Sequence, residues 1–175
     1  IVDYNGNTPG ELKLDGNRGD NVRHTYDEAN AKWNSAYDIF WKDKHTPIDV
    51  YGYYPYGKPE SISDYEFNVQ RDQSKPTEDG EMGGYEQSDF LWGKATDVAP
   101  TTRVIRLPLA HRMSCARVTL VEGTGFASGE WASTTKTVLL SNLVRKATID
   151  LSTGVVAAKG SVEGTATLPA ETGNE

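Results

Sequence analysis

Apolar and polar positions alternate most cleanly over residues 48–54, where Ile48, Val50, Gly52 and Tyr54 share one parity and Asp49, Tyr51 and Tyr53 the other. A period of two places successive side chains on opposite faces of a pleated chain, so this segment predicts a β-strand. Pro47 can open it and Pro55 should close it, because neither can donate to an internal ladder. Residues 66–70 repeat the pattern in miniature, with Phe67 and Val69 on one side. Over residues 146–151, Ala147, Ile149 and Leu151 face one way while Lys146, Thr148 and Asp150 face the other. Ser152-Thr153-Gly154 then reads as the turn of a hairpin into residues 155–158.

Residues 101–121 form the longest β-prone stretch. Ile105, Leu107, Leu109, His111, Met113 and Cys115 share one parity, and Ala116, Val118 and Leu120 the other. A constant pleat would change its buried face near residue 115, which calls for a bulge or a change of sheet there. Shorter strands are expected at residues 22–26, 126–131, 137–140 and 161–168. Ala29, Trp33 and Tyr37 recur at the spacing of a helix face, but the aromatic run that follows favours two short strands, Lys32-Trp33 and residues 36–40, around an Asn34-Ser35 turn. Residues 71–85, rich in Gly and charge, read as a long surface loop. Strands at this density, with no helix long enough for a parallel crossover, predict an all-β fold of two packed antiparallel sheets, a β-sandwich. The organisation expected is a flexible arm or edge strand over residues 1–21, a sandwich over 22–168 and a polar linker over 169–175. Within the arm, Glu11-Leu12-Lys13-Leu14 is the strand-like piece.

Composition narrows the function more than the fold. The chain has 175 residues, 37% of them apolar, which suits one globular domain and excludes disorder. A net charge of -7 with scattered basic residues leaves no concentrated positive surface for a phosphate backbone, so no nucleic-acid partner is expected. No apolar run approaches the roughly 18 residues of a membrane-spanning helix. A single cysteine, Cys115, excludes an intrachain disulfide and a multi-cysteine zinc site.

Candidate chemistry is sparse. His111 and Cys115 would lie about 13 Å apart on one strand, too far for a nucleophile and its base, so Cys115 is expected to be a small buried hydrophobe. Asp3, Asn5 and Asn7 alternate like the start of a calcium loop, but Thr8 and Leu14 stand where that loop needs Gly and an acid. Asp79, Glu81, Glu86 and Asp89 read as a solvated charge run rather than a glycosidase pair. No catalytic residue, metal or cofactor is therefore expected. Arg18 in the arm and Arg23 just beyond its end stand where a trypsin-like protease could cut without unfolding a core. Tyr51, Tyr53 and Tyr56 belong to an aromatic concentration suited to a core, a subunit interface or a glycan platform.

Three ordered stretches carry a resemblance. They are Ile39-Phe40-Trp41 with Ile48-Asp49-Val50-Tyr51-Gly52-Tyr53-Tyr54-Pro55-Tyr56, then Gln87-Ser88-Asp89-Phe90-Leu91-Trp92-Gly93, then residues 104–120 around His111. In this order they resemble the fimbrillin superfamily of Bacteroides-type bacteria, the subunits of surface fimbriae. The resemblance implies a transthyretin-like β-sandwich followed by a second β domain, a lipoprotein precursor and a place on the outer cell surface, in a fimbrium or attached to the outer membrane. It implies other fimbrial subunits as partners through β-strand addition, with Glu11, Leu12, Lys13 and Leu14 as the exchanging strand and Arg18 or Arg23 as the processing point. A surface module that binds a host glycan or host protein is the alternative it leaves open.

Overall fold

The computed structural model describes residues 1–75, 77, 78 and 80–160, together with the backbone of a strand at Thr165–Thr167. The chain divides into two compact units. The first comprises Ile1–Phe67, Phe90–Arg112 and Thr148–Ala157, and the second Asn68–Asp89, Met113–Ala147 and Ala158–Glu175. The architecture is predominantly antiparallel β-sheet.

The first unit is built on a five-stranded sheet. Its strands are β1 (Val2–Asn5), β2 (Thr8–Pro9), β5 (Ile48–Tyr54), β7 (Leu91–Val98) and β8 (Ala110–His111), in the order β2-β1-β5-β7-β8. β5 occupies the residues its alternation predicts, and ends at the cis bond between Tyr54 and Pro55. Ahead of it, Asp43 accepts hydrogen bonds from the backbone of His45 at 2.7 Å and of Thr46 at 2.6 Å, and from the Thr46 hydroxyl at 2.6 Å. Those bonds, the Thr46 hydroxyl first, hold its carboxyl down at about 2. β3 (His24–Asp27) and β4 (Lys32–Ser35) make a separate two-stranded hairpin. The helix expected as the competing reading is absent, but so is the pair of strands around an Asn34-Ser35 turn: residues 32–35 are one continuous strand paired with β3 around a turn at residues 28–31, and residues 36–40 form no strand.

β6 (Tyr65–Asn68), β10 (Lys146–Asp150) and β11 (Val155–Ala158) form a three-stranded sheet in the order β11-β10-β6. The core of the first unit consists of Val2, Ile48, Phe67, Phe90, Trp92, Ile149 and Leu151, all buried. Phe90 is fully enclosed, with the Phe67 ring edge-on at 5.1 Å and the Tyr53 ring stacked at 6.0 Å. The Trp92 indole donates to the Leu151 carbonyl at 2.8 Å, and the Leu151 N–H to Ile62 at 2.7 Å. Parity thus buries Ile149 and Leu151 as the sequence predicts.

The second unit holds two short helices, α1 (Gly84–Ser88) and α2 (Glu130–Ser133), and β9 (Leu139–Ser141) paired with β12 (Thr165–Thr167). Gly84 packs against the backbone of Asp72, whose carbonyl oxygen would collide with a Cβ. Ser88 accepts the Gln70 N–H at 2.9 Å and donates to the Gly84 carbonyl at 2.6 Å, and the helical turn they brace begins at the last two residues of the expected loop.

Several sequence expectations are corrected. Residues 11–14 form no strand; pairing with β5 falls to β1, whose Val2 is buried. Of residues 101–121, Ala110–His111 alone is a strand. Residues 107–109 instead lie against Gly52 of β5 and Gly93 of β7, and Val118, Leu120 and Val121 are exposed. Residues 126–131 run into α2 rather than a strand. Cys115 is exposed, not buried. Asp79, residues 161–164 and residues 168–175 fall outside the described residues.

Candidate assembly groove

β5 supplies one wall of a groove of about 800 Å³ within the first unit. Val50, Gly52 and Tyr54 line it from the sheet, and Ile105, Leu107 and Leu109 from the segment before β8. Trp33 of the hairpin and Ile39, Phe40 and Trp41 of the chain leading to β5 add aromatic surface. Phe40 is 84% exposed and Trp33 59%, well beyond what a filled core leaves open. The lining is largely apolar, with Lys13, Arg18 and Lys42 set against Asp3, Asp20 and Asp38.

The N-terminal segment reaches the same groove. Leu12, Lys13 and Leu14 line it, as do Arg18 and all three of Tyr51, Tyr53 and Tyr56. Residues nominated separately from the sequence as arm, processing point and interface aromatics are therefore brought together. Glu11 is not among them and borders a smaller cavity of about 230 Å³. Arg23 stands outside the lining, its guanidinium 5.8 Å from the Tyr56 ring centre.

Polar latches tie the segment down. The Tyr53 hydroxyl donates to Asn21 at 2.6 Å, and Asn21 donates onward to the Gly57 carbonyl at 3.1 Å. Burial pushes the Tyr53 hydroxyl far above the usual phenol value, so it stays protonated as a donor. The Tyr37 hydroxyl donates to the Arg18 carbonyl at 2.8 Å while the Arg18 guanidinium lies 4.8 Å from the centre of the Tyr37 ring. The Arg23 carbonyl accepts the Ala36 N–H at 2.9 Å.

A second polar feature escaped the sequence reading. Asp49 is 1% exposed, at a register shift between Ile48 and Val50 in the pairing of β5 with β7. It accepts the Tyr4 hydroxyl at 2.8 Å and the Asp97 N–H at 3.0 Å, and pairs with Lys94 at 3.1 Å. Burial alone would raise its carboxyl; the Asp97 N–H, Tyr4 and Lys94 outweigh that and hold it below the ordinary carboxylate value. The available signal was a lone acid inside an apolar strand, but alternation assigned it to solvent.

This cluster makes stability depend on acid. A folded-state value below the unfolded one means that the contribution is fully present above about pH 4 and is lost as pH falls through the folded value. Asp49→Asn should cost about 2 kcal/mol at neutral pH, because Lys94 loses its counter-charge, and should flatten part of the acid limb. Urea melts from pH 7 down to pH 2 measure both effects; an unchanged acid limb would assign it to Asp43 and the other hydrogen-bonded carboxylates.

A sequence model of the family described as Fimbrillin-like matches residues 4–175. The chain belongs to the fimbrillin-like family. No curated protein and no solved structure matches it. Fimbrillin-like chains are structural, non-catalytic components of bacterial surface fimbriae, and that is the role of this one. Membership also makes contact between subunits part of its function and the cell surface its location. Among the described residues, no helix of this fimbrillin-like chain is long and apolar enough to cross a membrane.

Proposed function

We propose that this fimbrillin-like chain joins its neighbours by β-strand addition, through the groove beside β5. In this reading residues 22–168 are a transthyretin-like β-sandwich, residues 1–21 a displaceable edge, and residues 169–175 a linker to a further β domain. The precursor carries a lipid, and an arginine-directed protease cuts after Arg18 or Arg23. The single observation that carries the reading is the groove itself: about 800 Å³, mostly apolar, flanked by strand backbone, and lined by Leu12 and Leu14 of the segment to be displaced. An extended chain laid there would gain backbone pairing from an edge and burial for alternate side chains. The glycan-platform reading of Tyr51, Tyr53 and Tyr56 has weaker support, because the Tyr53 hydroxyl is already committed to Asn21.

The test uses the whole mature protein, with and without an arginine-specific protease, followed by unheated denaturing gels and electron microscopy. Ladders and filaments that appear only after the cut are expected. A chain that is cut and stays monomeric overturns strand addition. Tyr37→Phe frees the Arg18 carbonyl, and should speed cutting after Arg18 if that is the processing bond.

A further inference from the structure

Asp49 has three donors, and they come from different places. The Asp97 N–H and the Lys94 ammonium belong to β7, on the inner side of β5. The Tyr4 hydroxyl belongs to β1, on the outer side. Val2 stands directly opposite Asp49 and is 3% exposed, while Asp3 is opposite Ile48 and the Tyr4 N–H reaches the Pro47 carbonyl at 3.3 Å. Tyr4 lies two residues beyond Val2 on the same face, and its long side chain spans the diagonal back to the carboxylate.

Removing β1 would leave Lys94 and the Asp97 N–H in place but strip one donor from a carboxylate that is otherwise enclosed. A strand replacing it must restore that donor or leave the charge short of a partner in a region closed to water. Register is fixed by the same demand. A slip of one residue turns the other face of the strand inward, and in β1 that would bring the Asp3 side toward Asp49, one carboxylate against another.

We propose that Asp49 selects and registers the strand that lies against the outer edge of β5. That strand, supplied by a neighbouring subunit, carries a compact apolar residue opposite Asp49 and, two residues further on, a side chain that donates a hydrogen bond to its carboxylate. The inference rests on the strand-addition reading and adds a chemical rule for the partner. Tyrosine in the fourth position of this chain is one solution to the rule, and a lysine or a hydroxyl side chain of sufficient reach is another.

The test is a competition. The chain cut by the arginine-specific protease, in which β1 is free to exchange, is incubated with equal, excess amounts of two synthetic peptides, one matching residues 1–7 and one with Tyr4→Phe, and the captured ratio is read by mass spectrometry after gel filtration. A hydrogen bond to a buried charge corresponds to about a tenfold preference for the tyrosine peptide. The preference should shrink to within about twofold on Asp49→Ala; if that variant does not fold, the ratio on the wild-type chain decides alone. Equal capture of both peptides by the wild-type chain overturns the role of Asp49 and leaves strand addition standing. Capture of neither overturns strand addition, and the Asp49 rule falls with it.

Discussion

Trp92→Ala is expected to lower the unfolding free energy by about 4 kcal/mol, within the usual range for truncating a buried aromatic residue. Trp92 is 9% exposed and holds the first unit together in three ways. Its indole N–H satisfies the Leu151 carbonyl at the end of β10. Its ring is the floor beneath Gly154, whose φ of 70° lets the turn between β10 and β11 sit where a side chain would strike the indole. The Arg112 guanidinium also lies 5.0 Å from the ring centre, and the Tyr51 ring packs at 6.4 Å. Trp92→Phe separates these contributions: it keeps most of the area but leaves the Leu151 carbonyl without its donor, and should cost about 2 kcal/mol. Denaturant unfolding measures both variants. Equal losses would mean that the hydrogen bond, not the packed ring, supplies most of the stabilisation.

Gly93→Ala should cost about 3 kcal/mol, although it adds one methyl group. Gly93 on β7 stands opposite Gly52 on β5, and residues 107–109 press onto this pair of glycines. A Cβ at Gly93 would overlap the Pro108 carbonyl oxygen and lie 2.9 Å from its carbon, so backbone would have to move. At Gly52 the obstacle is the end of the Leu107 side chain, which can rotate away. Gly52→Ala should therefore cost about 1 kcal/mol, near the low end for overpacking. Thermal melts of the two variants check the contrast. Similar losses would show that residues 107–109 yield as easily as one leucine rotamer. Since Leu107 and Leu109 line the groove, the assembly proposed above should fall more with Gly93→Ala than with Gly52→Ala.

The misses have a common cause. β7 is the longest strand among the described residues, yet its Gly93, Lys94 and Asp97 carry weak strand preference; its place is set by β5 on one side and β8 on the other. Residues 101–121 err in the opposite direction. Alternation and β-branched residues make them read as a strand, but Ala110 and His111 alone find a partner in β7. β-propensity describes fitness for a pleated surface, and a ladder partner has to be present before it is realised. The Glu11-Leu12-Lys13-Leu14 strand failed for the same reason: Val2 and Asp3 hold the edge of β5.

The sequence by itself determined the β class, the span of β5, the hairpin of β10 and β11 with its buried Ile149 and Leu151, and the family, because side-chain parity and short ordered motifs are local properties of the chain. Tertiary structure alone decided that Leu12, Arg18, Tyr51, Tyr53 and Tyr56 share one groove, and that Asp49 is enclosed instead of solvated. Burial at a given position depends on which distant strand covers it, and that is settled by long-range pairing that no local period records.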